Sequence, residues 1–155
     1  MTTYKYAYQQ PTEKVAKAVG KDLPISTRAA IEICKHIRYK PLEQAKRILA
    51  EAIELKRPVP FRRFTDGAGH KAGMGGGKYP IKACTHILTI LESAEANAHN
   101  KGLGKDLKII HVLSQRGPKV YHYGRQIRRK MKRTHVEVVL AQYQKKEKKK
   151  HEMKK

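Results

Sequence analysis

The sequence predicts an α+β fold in which about three helices pack on a small antiparallel sheet that extends into a long, protruding β-hairpin. Three segments carry apolar residues at helical spacing, and residues 107–113 and 134–140 alternate like strands. The chain between these two strands is basic and contains no Asp or Glu. A two-stranded ribbon is only marginally stable alone in water. The base of the hairpin is therefore expected to rest on the helices.

The N-terminal part is predicted to contain one short strand. Residues 4–8, Tyr-Lys-Tyr-Ala-Tyr, alternate aromatic residues with others, which suits an edge strand. Its partner must come from elsewhere in the fold. Residues 9–25 are interpreted as a polar connection with a stop at Pro24.

Two helices are predicted next. Ser26 or Thr27 is a suitable N-cap for a helix that ends at about Arg38. Pro41 is typical of a helix start and begins a second helix that ends at about Leu55. The inner faces consist of apolar residues at helical spacing, which are Ala30, Ile33, Cys34 and Ile37 in the first helix and Leu42, Ala45, Leu49, Ala52 and Ile53 in the second.

A third helix is predicted over residues 80–100, with Gly102 as its terminator. The hairpin follows it directly. Ile110 and Val112 are expected on one face of the first hairpin strand, so that this face can lie on the helices. The apolar residues at helical spacing in the third helix are Ile81, Cys84, Leu88 and Leu91. The residues that share one face of the returning strand are Val136, Val138 and Leu140.

The chain is predicted to form one domain over residues 1–142, which includes the extended hairpin at residues 107–141. With a turn near Gly124, about 3.3 Å per residue gives this hairpin a reach on the order of 50 Å. Residues 143–155 are predicted to be a basic, lysine-rich tail.

The composition indicates nucleic acid as the first partner to consider. The 155 residues include 35 Lys and Arg against 13 Asp and Glu, which gives a formal net charge of +22 and a pI of about 10.2. No stretch resembles a signal peptide or a membrane span, so we expect a cytoplasmic protein with no membrane partner. A basic surface can bind anionic lipid, but here the densest charge lies on predicted strands rather than on an amphipathic helix.

The two cysteines are predicted to be buried as small hydrophobic residues. Cys34 and Cys84 each precede a histidine by two residues. On a helix, such positions point about 200° apart, so that a cysteine and its histidine cannot bind one ion. We expect neither a metal site nor a disulfide.

Residues 56–79 form a second candidate site, interpreted as a glycine-rich loop. A nucleotide-binding P-loop is excluded, because Ala72 and Tyr79 replace the first glycine and the Ser or Thr of that motif. Phe61 and Phe64 leave two alternatives open: either they stack on bases, or they anchor the loop to the core. The basic residues of this segment are Arg57, Arg62, Arg63, His70, Lys71 and Lys78.

No arrangement of residues indicates catalysis. The eight histidines are scattered singly, and no carboxylate pair or Ser, His and Asp grouping occurs at a suggestive spacing. His111 and His135 could face each other across the hairpin base, although a structural role suffices for both. We therefore predict a protein that is not an enzyme and that uses no cofactor.

Several segments carry a resemblance to a known family. They are residues 93–103 (Ser-Ala-Glu-Ala-Asn-Ala-His-Asn-Lys-Gly-Leu), residues 107–118 and residues 133–140 (Arg-Thr-His-Val-Glu-Val-Val-Leu). Over about residues 4–142, the chain resembles the large-subunit ribosomal protein twenty-two family. Residues 24–38 and 59–63 are similar to its archaeal and eukaryotic branch.

The resemblance implies a structural constituent of the large ribosomal subunit that binds ribosomal RNA and contacts neighbouring large-subunit proteins. It also implies that the hairpin, residues 116–133, reaches the nascent-peptide exit tunnel. The alternative function is a free architectural RNA- or DNA-binding protein. With the basic residues of segment 56–79, the residues expected to bind RNA are Arg116, Lys119, Arg125, Arg128, Arg129, Lys130, Lys132 and Arg133.

The hairpin tip departs from the family. Many relatives have a longer tip with a proline, arginine and alanine motif, whereas residues 120–128 here are Val-Tyr-His-Tyr-Gly-Arg-Gln-Ile-Arg. This difference indicates a shorter or differently folded tip. The candidates for facing the tunnel and the nascent peptide are Tyr121, His122, Tyr123 and Gly124. The alternative, which stays open, is that the tyrosines stack on RNA bases.

Overall fold

The computed structural model describes residues 4–9, 14–104 and 106–143, and it confirms the predicted α+β fold. Three helices lie against a three-stranded antiparallel sheet, and a smaller three-stranded sheet packs beside α1 through its first strand. The helices are α1 (Thr27–Ile37), α2 (Leu42–Ile53) and α3 (Ile81–Asn100), and the strands are β1 (Val15–Leu23), β2 (Val59–Pro60), β3 (Gly69–Lys71), β4 (Gly75–Lys78), β5 (Leu107–Arg116) and β6 (Thr134–Gln142).

The three helices form where the apolar spacing predicts them. Ser26 is the N-cap of α1, Arg38 follows its last turn, and Pro41 precedes α2. Gly102 adopts a φ of 70° after α3, which is the left-handed conformation expected of a terminating glycine. The core residues that the helices contribute include Ala30, Ile33, Ile37, Leu42, Ala45, Leu49, Ala52, Ile87 and Leu91.

Cys34 and Cys84 are buried, free cysteines, as predicted. Burial raises the pKa of both thiols to about 12. Both therefore stay protonated and pack as small apolar residues.

The larger sheet has the strand order β1-β6-β5, so that β6 is its central strand. Val138 of β6 pairs with Ala18 of β1 on one side and with Val112 of β5 on the other. Every residue from Val136 to Leu140 is buried. Both faces of the central strand are therefore covered, one of them by the helices.

Residues 4–9 contact the other face of β6, and the prediction that residues 4–8 form an edge strand is wrong. The Tyr4 hydroxyl donates to Glu137 Oε1 (2.6 Å), and the Ala7 N–H donates to Glu137 Oε2 (3.0 Å). Burial and the Glu137 carboxylate raise the pKa of Tyr4 to about 12, which keeps its hydroxyl protonated as a donor. This segment satisfies a buried carboxylate instead of adding a strand.

The larger sheet is completed by β1, in a region that was predicted to be a polar connection. Its buried side chains, Val15, Ala16 and Ala18, are small and are followed by polar residues, so that the apolar alternation is weak. This explains the wrong prediction. At Gly20, α3 packs so closely that a Cβ would lie 2.5 Å from Ile90 Cδ1.

A β-bulge between Ile109 and His111 changes one detail of the hairpin base. Leu107 and Ile109 are buried before the bulge, and Val112 is buried after it. The extra residue shifts the alternation by one position. The inward position predicted for Ile110 is therefore wrong, whereas that of Val112 is confirmed.

His111 and His135 do not face each other across the hairpin base. In the register of β5 and β6, His111 pairs with Val139 and His135 pairs with Gln115. The His111 ring instead lies beside the Tyr8 ring, with 5.7 Å between the ring centroids. His111 therefore contributes to the packing of the N-terminal segment on the sheet.

Segment 56–79 is not simply a loop, because it contains a second antiparallel sheet with the order β2-β4-β3. Gly73, between β3 and β4, and Gly75, the first residue of β4, adopt φ values of 75° and 76°, a conformation that glycine adopts without strain. β4 is mostly glycine, and β2 and β3 are only two and three residues long, so that none of these strands carries an apolar alternation.

The predicted division between a domain at 1–142 and a basic tail at 143–155 stays a prediction, because residues 144–155 lie outside the described part of the chain. Of the helices in the described ranges, none is long and apolar enough to cross a membrane.

Candidate nucleic-acid interface

The two hairpin strands stay linked beyond the sheet. Backbone hydrogen bonds join Gly117 to Arg133 (2.9 Å), Met131 to Val120 (2.7 Å) and His122 to Arg129 (2.9 Å). Gly124 has a φ of 63° and begins a short 3₁₀ turn, close to the predicted chain reversal. These pairings are consistent with the predicted long hairpin.

The hairpin cations form no ion pairs with acidic residues in the described part of the chain. Within the described ranges, no salt bridge includes a cation between Arg116 and Arg133. Lys130 Nζ lies 4.9 Å from the centroid of the Tyr121 ring, which is neutral. These like charges repel one another until an external anion neutralises them. The exposed cations of the hairpin are Arg116, Lys119, Arg125, Arg128, Arg129, Lys130 and Lys132.

The base of the hairpin forms a basic cleft with the start of α1, which we call the base cleft. The Thr134 hydroxyl joins these two elements, because it donates to the Ile25 carbonyl (3.0 Å) and accepts from the Thr27 hydroxyl (2.8 Å). Arg28 was missed by sequence reasoning, since its place in α1 does not reveal the hairpin beside it. The base cleft encloses about 420 Å³ and is lined by Ser26, Thr27, Arg28, Arg116, Lys119, Lys130, Met131, Lys132 and Arg133.

A buried carboxylate positions the second basic segment. Glu32 of α1 is 2% exposed, and its Oε1 accepts the N–H groups of Arg63 (2.7 Å) and Phe64 (2.9 Å). Burial acts to raise the pKa of Glu32, but these backbone N–H groups outweigh burial, and the pKa lies below its ordinary value. The ionised carboxylate thus fixes a backbone from which the Arg62 and Arg63 side chains are exposed.

Sequence reasoning also missed Glu32. The only available signal was a carboxylate among the apolar residues of a predicted helix, which requires hydrogen-bond donors when it is buried. Its donors come from a segment about thirty residues further along the chain. Such a pairing cannot be inferred from the local pattern.

The positions of Phe61 and Phe64 favour the alternative that these residues anchor their segment to the core. Phe61 is 5% exposed and belongs to the core, so it anchors the segment instead of offering a face to a base. Phe64 is partly buried against the same core. The guanidinium groups of Arg28 and Arg63 lie 5.8 Å and 5.3 Å from its ring centroid, which brings the two basic segments together at the start of α1.

The basic residues of segment 56–79 lie outside the lining of the base cleft. Arg57 lies near Glu51 of α2, with 3.8 Å between the charged atoms. Lys78 Nζ donates to the Asp66 carbonyl (2.5 Å). His70 and Lys71 belong to the edge strand β3, where they add basic surface to the domain.

The hairpin tip presents bulky side chains to solvent. Tyr121 is 53% exposed and Tyr123 is 87% exposed, whereas His122 is half-buried. An exposed aromatic ring can stack on a base or border an open channel. The geometry of the tip leaves both roles open for the tyrosines.

The family model described as Ribosomal protein L22p/L17e matches residues 18–141. The chain belongs to this family. The match begins within β1 and ends within β6, so that it includes the base cleft and the hairpin.

Archaeal relatives agree with this membership. A relative from Archaeoglobus fulgidus is 40% identical over 128 residues, which cover 79% of this chain and 83% of the relative. One from Methanocaldococcus jannaschii is 39% identical in an alignment of length 152, which covers 92% of this chain and 97% of the relative. One from Staphylothermus marinus is 36% identical in an alignment of length 155, which covers 92% of this chain and 99% of the relative. All three are named Large ribosomal subunit protein uL22.

Membership in the L22p/L17e family confirms the resemblance inferred from the sequence, including the archaeal type. It also confirms that the chain is a ribosomal protein and not an enzyme. The individual RNA-binding residues stay predictions.

Replacing Glu32 by glutamine (Glu32→Gln) should lower the free energy of unfolding at pH 7 by about 1–3 kcal/mol, because the charged acceptor of two backbone N–H groups is lost. Since the folded-state pKa of Glu32 lies below its unfolded value, the stabilisation is present at neutral pH and disappears as the pH falls through the acidic range. Urea unfolding followed from pH 7 to about pH 3 measures this, and the curves of the two proteins should converge in acid.

The matched control is Glu92→Gln, on the exposed part of α3. It should change the free energy of unfolding by less than about 0.5 kcal/mol throughout. A constant offset between Glu32→Gln and the original chain across all pH values would show that the lost charge is not the cause.

Proposed function

We propose that this member of the L22p/L17e family is a structural constituent of the large ribosomal subunit in the cytoplasm. It binds ribosomal RNA, contacts neighbouring large-subunit proteins and extends its hairpin to the nascent-peptide exit tunnel. The observation that carries this proposal is the set of exposed cations without acidic partners between Arg116 and Arg133. The names of the relatives support it over a free architectural nucleic-acid-binding protein.

Charge neutralisation is the physical reason for choosing RNA as the partner. Each pair of like charges about 4 Å apart costs about 1 kcal/mol in water and more where solvent is excluded. RNA phosphates offer a dense row of counter-charges, and their contact with Lys and Arg releases condensed ions. The hairpin cations can be neutralised together only by such a polyanion.

The base cleft is the best-formed part of this surface for a phosphate. Arg28, Arg116 and Arg133 line it with three lysines, and none of its described lining residues is a carboxylate. Arg28 also lies 3.7 Å from the exposed Asp66, outside the cleft lining. Arginine can bind two phosphate oxygens at once, which fixes both position and orientation. The Thr27 and Thr134 hydroxyl pair holds the two walls of the cleft at a set spacing.

The apolar side chains that are exposed at the tip support the proposal that a partner covers the tip. Val120 is 51% exposed and Ile127 is 59% exposed, although both lie among cations. Grouped with Tyr121 and Tyr123, they form a surface that is suited to contact with a partner. The proposal places arginine side chains toward RNA and leaves some of the bulky groups toward the tunnel lumen.

The affinity of the full chain for isolated large-subunit RNA should fall steeply with salt. If the hairpin places six cations on phosphates, the affinity falls by about a thousandfold between about 50 and 200 mM salt. Replacing Arg128, Arg129 and Lys130 together by glutamine should reduce the slope of log affinity against log salt by about one unit for each lost phosphate contact. Filter binding across a salt series measures both slopes.

A variant with Arg47, Lys56 and Lys82 replaced by glutamine is the matched control, because it loses the same net charge from helices and their ends. Two of these residues are already paired with glutamates. Its slope should stay close to that of the original chain. A flat salt response, or an equal loss of slope in both variants, would contradict hairpin binding to phosphates.

A nascent chain that carries a photoreactive residue should form adducts with residues 119–129 when the residue passes the tip. Peptide mapping of the cross-linked protein identifies the contact, and Tyr123 is the expected site because it is the most exposed of the tip tyrosines. Adducts to His70 on β3 would reveal non-specific reaction. If no probe position in the tunnel labels residues 119–129, the tip has no lumen-facing role and serves only to anchor RNA.

A further inference from the structure

A second basic cleft lies between the C-terminal half of α1, the turn after it and β2, and we call it the α1 cleft. Its single carboxylate, Glu32, already accepts the N–H groups of Arg63 and Phe64. Within the described part of the chain, no salt bridge includes any of its basic residues. The α1 cleft encloses about 220 Å³ and is lined by Glu32, Lys35, His36, Arg38, Lys40, Pro60 and Arg62.

The walls of the α1 cleft are held in place from both sides. Glu32 fixes the backbone that follows β2, as described above. On the other side, the Arg38 guanidinium donates to the Val112 carbonyl (3.0 Å), which ties the end of α1 to β5. The cleft is therefore formed before any ligand binds.

The turn after α1 holds an aromatic residue in an unfavourable conformation. Tyr39 lies between Arg38 and Lys40 and has a φ of 63°, which side-chain-bearing residues rarely adopt. Its N–H donates to the Ile109 carbonyl (3.1 Å), and the Ile109 N–H donates to the Lys40 carbonyl (3.1 Å). The Tyr39 ring is 63% exposed. The exposed ring thus belongs to the same turn as Arg38 and Lys40, which line the α1 cleft.

The cations around His36 indicate that the α1 cleft can accept an anion. Burial, followed by the positive charges of Lys40, Arg57 and Arg62, lowers the pKa of His36. The cations of the cleft outnumber its one described carboxylate, Glu32, which already accepts two backbone N–H groups. A bound anion would reverse the effect of these cations on the pKa of His36. The charged groups around His36 are Glu32 and Lys35 on α1, Arg38 and Lys40 on the turn, Arg57 after α2 and Arg62 after β2.

We propose that the α1 cleft and Tyr39 together bind one nucleotide of single-stranded RNA, with its phosphate held by Lys35, Lys40 and Arg62 and its unpaired base stacked on the Tyr39 ring. This inference rests on the proposed RNA-binding function and adds a site outside the hairpin. Cations alone accept any phosphate backbone. The exposed ring adds a requirement for a base that is free of Watson–Crick pairing.

The affinity of the full chain for isolated large-subunit RNA tests the stacking contact. Tyr39→Gly should weaken binding by about tenfold, because one stacked base is lost, whereas Tyr39→Phe should bind like the original chain. Thermal unfolding of Tyr39→Gly should be unchanged or shifted upward, since glycine adopts a positive φ without strain. If Tyr39 only shaped the turn, Tyr39→Gly would show the same thermal unfolding and no loss of RNA affinity.

Leu55→Gly is the matched control, because Leu55 also has a positive φ (62°), is 55% exposed and does not line the α1 cleft. It should relieve the same backbone strain and leave RNA affinity unchanged. If the original chain binds large-subunit RNA and Tyr39→Gly binds it equally well, this inference fails while the proposed function stands. If the original chain itself does not bind, the proposed function fails.

Nuclear magnetic resonance with a short single-stranded oligouridylate locates the phosphate. The probe should raise the pKa of His36 in the full chain and shift the Tyr39 ring signals upfield. Lys40→Gln should reduce the rise for His36, whereas Lys82→Gln on the exposed part of α3 should not. A duplex RNA of equal length should leave the Tyr39 ring signals unchanged. Unchanged His36 and Tyr39 signals, with shifts confined to the hairpin, would overturn the proposal.

Discussion

The burial of β6 is the constraint on which the rest of the structure depends. As the central strand, β6 pairs with β1 and β5, and every side chain from Val136 to Leu140 is removed from solvent. Burying each large aliphatic side chain contributes about 1.5–3 kcal/mol. The same strand begins at Thr134, directly after the basic hairpin. The core therefore fixes the base of the hairpin, while the cations of the hairpin lie outside the core.

The placement of acidic residues preserves the positive charge of the hairpin. The two fully buried glutamates, Glu32 and Glu137, accept hydrogen bonds from backbone N–H groups and a tyrosine hydroxyl rather than from Lys or Arg. Glu51 of α2 and Glu54 at its C-terminal end pair with nearby cations. None of the acids in the described residues neutralises the hairpin. Among the described residues, the cations from Arg116 to Arg133 are therefore available to a polyanion, whereas Arg28 at the start of α1 lies 3.7 Å from Asp66.

The sequence predicted those parts of the molecule in which one local pattern decides the structure. The helices follow from apolar spacing, and the hairpin strands follow from alternation around a basic segment. The sequence did not predict β1, whose small residues alternate weakly, or the short strands β2 and β3 and the glycine-rich strand β4. Residues 4–8 have a strand-like pattern, yet their position is decided by Glu137, more than a hundred residues away. Long-range hydrogen bonds override local propensity at such positions.

Local sequence patterns also predicted only part of the candidate site. Charge counting selected the hairpin and Arg62, because a run of cations without acids is visible in the sequence. Arg28 and Tyr39 could not be selected in this way. Arg28 lies beside the hairpin only because Thr27 and Thr134 join the two elements, and Tyr39 is constrained only by its pairing with Ile109. Both depend on contacts between segments that are far apart in the sequence.

The central claim is that the core orders β6 while RNA orders the hairpin. Hydrogen–deuterium exchange of the full chain, measured free and within the purified large subunit, tests it most directly. The account predicts slow exchange for the amides of Val136–Leu140 in both states. It predicts fast exchange for the amides of residues 119–132 in the free chain and slow exchange in the subunit. Equally slow exchange of the β6 and hairpin amides in the free chain would contradict it.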